Sequence, residues 1–360
     1  MYERDIGIIR SEITLGGARD SFIENINTNF NLIKKRIKSD KLKIDNMCIG
    51  KYTKTKINIL YIDGIVKKDL VNHIKKKLEK INIDGIIDSS YLRNSLEKHN
   101  LFPTLSMSER PDRCSMALLE GKVIVLVDNS PYALILPSFF IDYFHSIDDY
   151  FQKSFNTSFI RIIRVIAFLI AIFIPGLYIS FTTRNYSLIP IDLLLVLKSG
   201  RTFVPFPAYI EALFMIICFE ILKESDLRRN ITSGSSISIL GGLILGDAAV
   251  SAGIVSPIMI IVIAISSISG LIFSSIELNN ALRAYKIFIL ILSSIFGIYG
   301  VILGGIILLI NLIDTEVFGY NYLSKFDIDD SIIKIDRNIK KRSNKLSNNI
   351  IRGRYKWKKL

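Results

Sequence analysis

In the segment from Arg19 to Arg36, with Ile37 just beyond it, the apolar residues Phe22, Ile23, Ile26, Phe30, Ile33 and Ile37 recur at three- and four-residue steps. That spacing puts them on one face of a helix, with Asp20 in position to serve as its N-cap. Lys56 to Val66 (KINILYIDGIV) alternates and is rich in β-branched residues, which predicts a strand. Asp69 to Ile81 follows with Leu70, Ile74, Leu78 and Ile81 at helical spacing, and a further helix is expected within Ile86 to Leu96, beginning after Asp88, Ser89 or Ser90. Two apolar runs, Lys122 to Val127 and Tyr132 to Leu136, flank Asp128-Asn129-Ser130-Pro131, a cluster of turn formers that would close a hairpin. Residues 1–155 therefore predict a soluble α/β domain, a sheet with helices packed on it.

Beyond Arg161 the pattern changes. Ile162 to Thr182 is almost unbroken in its apolar character and is long enough for the roughly 30 Å of bilayer hydrocarbon. Pro175-Gly176 predicts a bend in it, and Arg161 and Arg164 predict that it starts on the cytoplasmic side. Leu188 to Leu197 is too short to cross and reads as a re-entrant or interfacial helix. Pro207 to Leu222 with its flanks is long enough and ends at Lys223, Arg228 and Arg229. Ser235 to Ala252 is interrupted by Gly241, Gly242 and Gly246 and carries Asp247, as in helices that break to line a water-filled path. Gly253 and Pro257 separate it from the span expected over Val255 to Ile276. Glu277 to Lys286 reads as an amphipathic connector before a last long segment, Ile287 to Ile313, which contains Gly297, Gly300, Gly304 and Gly305. Residues 156–318 thus predict an α-helical multi-span membrane domain with broken or re-entrant helices, and 319–360 a basic cytoplasmic tail. If Ser235 to Ala252 is re-entrant, four full spans leave the tail inside, and the tail's charge favours that count.

Composition supports the division. A mean hydropathy of +0.37 beside 22% charged residues suits a wet domain averaged with a bilayer domain better than one globular core. The net charge of +13 is concentrated at the end, where Ser331 to Leu360 holds eleven Lys or Arg against the single acid Asp336. Directly after a membrane span, such a run is expected to face anionic lipid, at roughly 1 kcal/mol per basic residue, rather than nucleic acid. Cys48, Cys114 and Cys218 are an odd number with no CxxC pair, so neither a disulfide framework nor a zinc site is expected, and the soluble half suits a reducing compartment. MYERDIGIIRSE has no apolar core or cleavage site of a secretory signal. His73, His99 and His145 lack a second ligand type at metal-binding spacing. No phosphate loop or nucleophile and base arrangement appears, so no enzyme activity, metal or cofactor is expected.

Two groups of residues stand out chemically. Glu109-Arg110-Pro111-Asp112-Arg113 invites ion pairs that lock structure, with the arginines bonding carboxylates or a helix end. Glu211 and Glu220 fall within an apolar stretch, where an acid is costly and faces protein or water. At 100° per residue their spacing sets them on opposite faces of a regular helix, which weakens a paired-carboxylate site. The bland alternative sets both near interfaces, Glu220 close to Lys223 and Glu224.

Five blocks in order, ARDSFIENINTNFNLIKKRI, YIDGIV, SERPDRCSMALLEGKVIVLVDNSPYALILP, VPFPAYIEALFMIICFEILKE and LGDAAVSAGIVSPIMIIVIAISSISG, resemble the A subunit of the GerA-type spore germination receptors over about Gly16 to Lys325. The resemblance implies a multi-pass protein of the spore inner membrane that works with a transporter-like B subunit and a lipoprotein C subunit. Germinant would bind chiefly to the B subunit, and this subunit would couple the signal to ion release, as an oligomer around an ion path. Family members usually carry a longer soluble region before the block near Gly16. This chain therefore lacks a first subdomain, is a short paralogue, or has an upstream start. The basic tail also extends beyond the family core. Carried over by block, Glu109, Arg110, Pro111, Asp112 and Arg113 are expected to lock the soluble domain. Pro205, Pro207, Glu211, Glu220, Gly246, Asp247, Gly253 and Pro257 are expected to serve gating or conduction. Glu211 or Asp247 on a hydrated path would favour cations over anions. The competing readings are a paralogous scaffold that supports dipicolinate release, and a secondary transporter, for which no internal repeat is found.

Overall fold

The computed structural model describes residues 16–97, 100–151, 154–227 and 246–323, together with Gly7, Ile9 and Glu12. His99, most of Ser235 to Ala252 and the basic tail from Ser324 onward lie outside the described residues. The chain forms two compact units, Met1–Phe151 with Ile313–Leu360, and Gln152–Leu312.

The first unit is built on a five-stranded sheet of order β1-β2-β4-β5-β3, with all neighbours antiparallel. Its strands are β1 (Leu42–Ile49), β2 (Thr55–Ile62), β3 (Ser106–Ser108), β4 (Val123–Val127) and β5 (Ala133–Leu136). The register aligns Leu60, Ile124 and Ile135 in one row and Ile59, Val125 and Leu134 in the next, so alternate residues supply opposite faces. The first face packs on α1 (Ile26–Arg36) and α4 (Pro111–Leu119) through Ile26, Ile33, Cys114 and Leu118. On the second, α3 (Ser89–Leu96) packs on β5 and α2 (Lys68–Glu79) on α3. Both rows are buried, and each such aliphatic side chain contributes about 1.5–3 kcal/mol.

Local signals predict most of these elements. The stripe Leu70, Ile74 and Leu78 is buried in α2, and Asp88 caps α3 by accepting the Ser90 N–H. The turn between β4 and β5 has Asn129 at φ 66°, a left-handed conformation asparagine tolerates. The first helix differs from expectation. It begins at Ile26, capped by Asn25, whose side chain accepts from the Asn27 and Thr28 N–H groups. Asp20 is not its cap. Residues before Asn25 pass the segment ahead of α4 instead, with the Phe22 N–H donating to the Glu109 carbonyl at 2.9 Å, and Arg36 Nη2 donates to both Asp20 carboxylate oxygens. Edge strand β1 was not predicted, because LKIDNMCI mixes charge and apolar residues and is mostly part-exposed.

The chain re-enters this unit at Ile313. A hairpin of β6 (Glu316–Val317) and β7 (Tyr320–Asn321) is followed by the fully buried Tyr322, whose carbonyl accepts the Phe140 N–H and whose ring lies beside Phe102 and Phe140. Phe318 sits under the Lys77 ammonium, 4.4 Å from ring centroid to Nζ, and edge-on to His73. Burial and three neighbouring lysines hold His73 below its ordinary pKa, so it meets Phe318 as a neutral ring. The helical unit accordingly ends at Leu312, ahead of the expected boundary at 318.

The second unit consists of α6 (Ser154–Thr183), α7 (Ile191–Ser199), α8 (Ala208–Leu227), α9 (described over 246–251), α10 (Pro257–Leu271), α11 (Ile276–Phe296) and α12 (Ile298–Asp314). A one-turn helix, α5 (Asp148–Phe151), precedes it. Over Phe155–Thr183, α6 is apolar and long enough to cross a bilayer, with an 18-residue stretch of mean hydropathy 2.5, and it continues through Pro175 as one helix. Small residues set the packing. A Cβ at Gly176 would meet Ile289 at 2.9 Å, and one at Gly304 would meet the same side chain at 2.6 Å. The Ser266 hydroxyl donates to the Ala171 carbonyl, and Phe168 packs edge-on to Phe273, so α10 runs antiparallel to α6. Helix α11 runs parallel to α6, since Gly176 faces Ile289 and Ser293 while Arg184 and Asn185 face Gly297.

The expected single segment Ile287 to Ile313 is instead two antiparallel helices. Gly297 breaks the chain at φ 62°, and Gly300 and Gly304 return past Leu292 and Ile289. Glu277 to Lys286 is no separate connector, because it is the first half of α11.

Candidate functional site

In the α/β unit, Pro111 starts α4, where its missing N–H costs nothing, and the acid and base residues around it converge on the N-terminal segment. The Arg110 side chain is 1% exposed. Its Nε and Nη2 grip the two Asp112 oxygens at 3.0 and 2.7 Å, Nη1 donates to the Glu12 carbonyl at 3.0 Å, and Nη2 reaches the Ala18 carbonyl at 3.2 Å. Glu12 is the hub. Its carboxylate pairs with Arg113 and accepts from the Ser108 hydroxyl, and its N–H donates to Glu109. A planar fork with fixed donors suits this arrangement, which ties residues nearly a hundred positions apart. Cys114, behind it, is fully buried, and burial pushes its thiol well above the ordinary value, with Glu12 adding to the effect. It is an inert core residue.

In the helical unit, Glu211 lies in the first turn of α8 and its side chain is 0% exposed. One oxygen pairs with Arg201 Nη2 at 2.8 Å, and the other accepts the Ser256 N–H at 3.1 Å, at the start of α10, where a carboxylate favours the helix dipole. Pro207 leads into α8, with its carbonyl accepting the Ile210 and Glu211 N–H groups, and Pro257 opens α10. Gly253 has φ 66°, and a Cβ there would meet the Phe203 carbonyl at 3.1 Å. Glu211, Pro207, Gly253 and Pro257 thus gather at one junction, joined by Arg201 and Ser256.

Glu220 serves a different contact, pairing with Arg283 of α11 at 2.8 Å. Asp247 and Pro205 are exposed, and a Cβ at Gly246 would meet only Ile260, at 3.9 Å. Glu12, Arg201 and Ser256 were not singled out by the sequence. Arg201 carries the one signal that points to it, a cation ten residues before an acid within an apolar stretch. Among the described residues no group of three or more His, Cys, Asp and Glu is arranged to hold a metal ion.

The family model for the Bacillus/Clostridium GerA spore germination protein matches residues 1–345. The chain is 37% identical over 324 residues to spore germination protein KA of Bacillus subtilis strain 168, covering 89% of this chain and 60% of that protein. It is 36% identical over 333 residues to spore germination protein B1 of the same organism, covering 90% and 69%. The chain therefore spans about three-fifths of the length of protein KA. The crystal structure of the N-terminal domain of the A subunit of the Bacillus megaterium spore germinant receptor GerK3 is 38% identical, with 34% of this chain and 98% of that one covered and a TM-score of 0.29.

Proposed function

The chain belongs to the GerA family of spore germination proteins, and on that premise we propose that it is a non-enzymatic membrane subunit of a nutrient germinant receptor. In this reading it couples germinant sensing by partner subunits to ion release across the spore inner membrane. One observation carries the reading: the helical unit leaves the α/β unit at Phe151 and rejoins it at Ile313, so both ends of a lipid-suited bundle are tied to one soluble body. The bundle's outward faces support a bilayer setting, since Ile162, Leu169, Ile217, Ile268, Ile306 and Ile310 are exposed and soluble proteins rarely leave such continuous apolar surface uncovered.

The helix directions support a multi-span topology. Helix α6 leads away from the soluble side, α8 and α10 lead back, α11 leads away again and α12 returns. Arg161, Arg164, Lys223, Arg283 and Lys286 fall towards one end of the bundle, the cytoplasmic end by the positive-inside rule. The tail then meets anionic lipid of the cytoplasmic leaflet.

The subunit assembles with B and C subunits and with further copies of itself around the ion path. Glu211, enclosed and ion-paired in the single chain, acts as a latch between α8 and α10, while exposed Asp247 is the better candidate for a hydrated path. The test is germinant-triggered release of monovalent cations from spores of the source organism with and without the gene. Loss of early release for one set of nutrients is expected. Normal release with slowed dipicolinate efflux would assign the chain to a scaffold for that efflux instead.

A further inference from the structure

At the end of α6, a cavity of about 210 Å³ opens towards α7, lined by Thr182, Leu194, Leu197, Lys198 and Arg201. It has room for several waters, or for one small organic molecule. The Thr182 hydroxyl is engaged with the Tyr178 carbonyl at 2.8 Å, so the ionic groups on the wall are two cations and no carboxylate. Lys198 lies 5.9 Å from the Tyr186 ring centroid and, among the described residues, has no ion pair. Arg201 spends Nη2 on Glu211 and on the Phe206 carbonyl, while its buried Nε has no hydrogen-bond partner. Leu194 and Leu197 supply an apolar wall beside these charges, the usual make-up of a small-molecule site.

We propose that this cavity binds a small organic anion, with its carboxylate between Lys198 and Arg201 and its hydrocarbon part against Leu194 and Leu197. Arg201 is shared between the cavity and the buried Glu211. An anion that draws the guanidinium towards the cavity weakens its hold on Glu211, so occupancy is linked to the α8–α10 junction. The inference rests on the helical unit's geometry and does not depend on the germination reading.

The test is calorimetric titration of the full chain in phosphatidylcholine nanodiscs with butyrate, and with butylammonium as a cation of similar size. Saturable binding of butyrate and none of butylammonium is expected. Arg201→Gln removes a charged donor and should weaken butyrate binding about tenfold or more. Because that change also leaves Glu211 unpaired, Leu194→Trp provides the second test: it fills the cavity, keeps the ion pair, and should abolish binding with thermal unfolding unchanged. No saturable butyrate signal, equal binding of the two probes, retention of binding in folded Leu194→Trp, or a signal only when phosphatidylglycerol is added would each overturn the proposal.

Discussion

Glu211 and Ser256 stand 45 residues apart, yet the Glu211 carboxylate accepts the Ser256 N–H at 3.1 Å while pairing with Arg201 on its other oxygen. A fully enclosed carboxylate is tolerated because a cation and a helix start share its charge.

Removing one partner leaves the other buried and uncompensated. Glu211→Ala is expected to destabilise the helical unit by about 3–5 kcal/mol, and Arg201→Met with Glu211→Met together by far less, since apolar replacement of a buried pair is often neutral. Thermal unfolding of the two variants in nanodiscs checks this, and equal losses would sink the buried-pair account.

Arg110 uses its fork on Asp112 and on the Glu12 and Ala18 carbonyls. Arg110→Lys keeps the charge but not the planar fork, and an expected loss of about 2–4 kcal/mol should appear first as faster amide exchange at Ala18 to Phe22. Unchanged exchange there would show that the N-terminal segment is held by something else.

Asp88 caps α3 and accepts the Ser130 hydroxyl. Burial alone would raise its carboxyl, but the hydrogen bonds from Ser130, Ser90 and the Ser89 and Ser90 backbone outweigh it and hold the group below its ordinary value of 3.8. The ionised form therefore stabilises the fold above pH 3.8, and that contribution is lost as pH falls through the lowered native value. Asp88→Ala should cost about 1 kcal/mol at neutral pH and flatten the acid limb of the stability profile, measured by urea unfolding at about pH 7 and about pH 3.

Gly300 passes so close to α11 that a Cβ would fall inside the van der Waals shell of the Leu292 carbonyl. Gly300→Ala should push α12 off α11 and lower the unfolding temperature, while Gly16→Ala, where a Cβ meets nothing within 4 Å, should not. A harmless Gly300→Ala would mean that the two helices do not pack this closely.

What the sequence determined by itself was whatever is encoded within a few neighbouring residues. The stripe of α2, the Asp88 cap, the Asp128-to-Pro131 turn and the apolar length of α6 all belong to this class, because periodicity, capping and hydropathy act over one or two helical turns. The plan of an α/β region followed by a mostly helical one was legible for the same reason, as was the family. Only the tertiary structure decided which partner each polar group takes. Asp20 meets Arg36 and leaves the cap to Asn25, Glu12 becomes the hub of the Arg110 cluster, Glu211 finds Arg201 and Ser256, and Tyr322 returns to Phe102 and Phe140. The break at Gly297 belongs here too, since glycine within an apolar run permits either a continuous helix or a reversal. The packing of Gly300 and Gly304 against α11 selects the reversal, because only close approach across the turn buries both apolar faces.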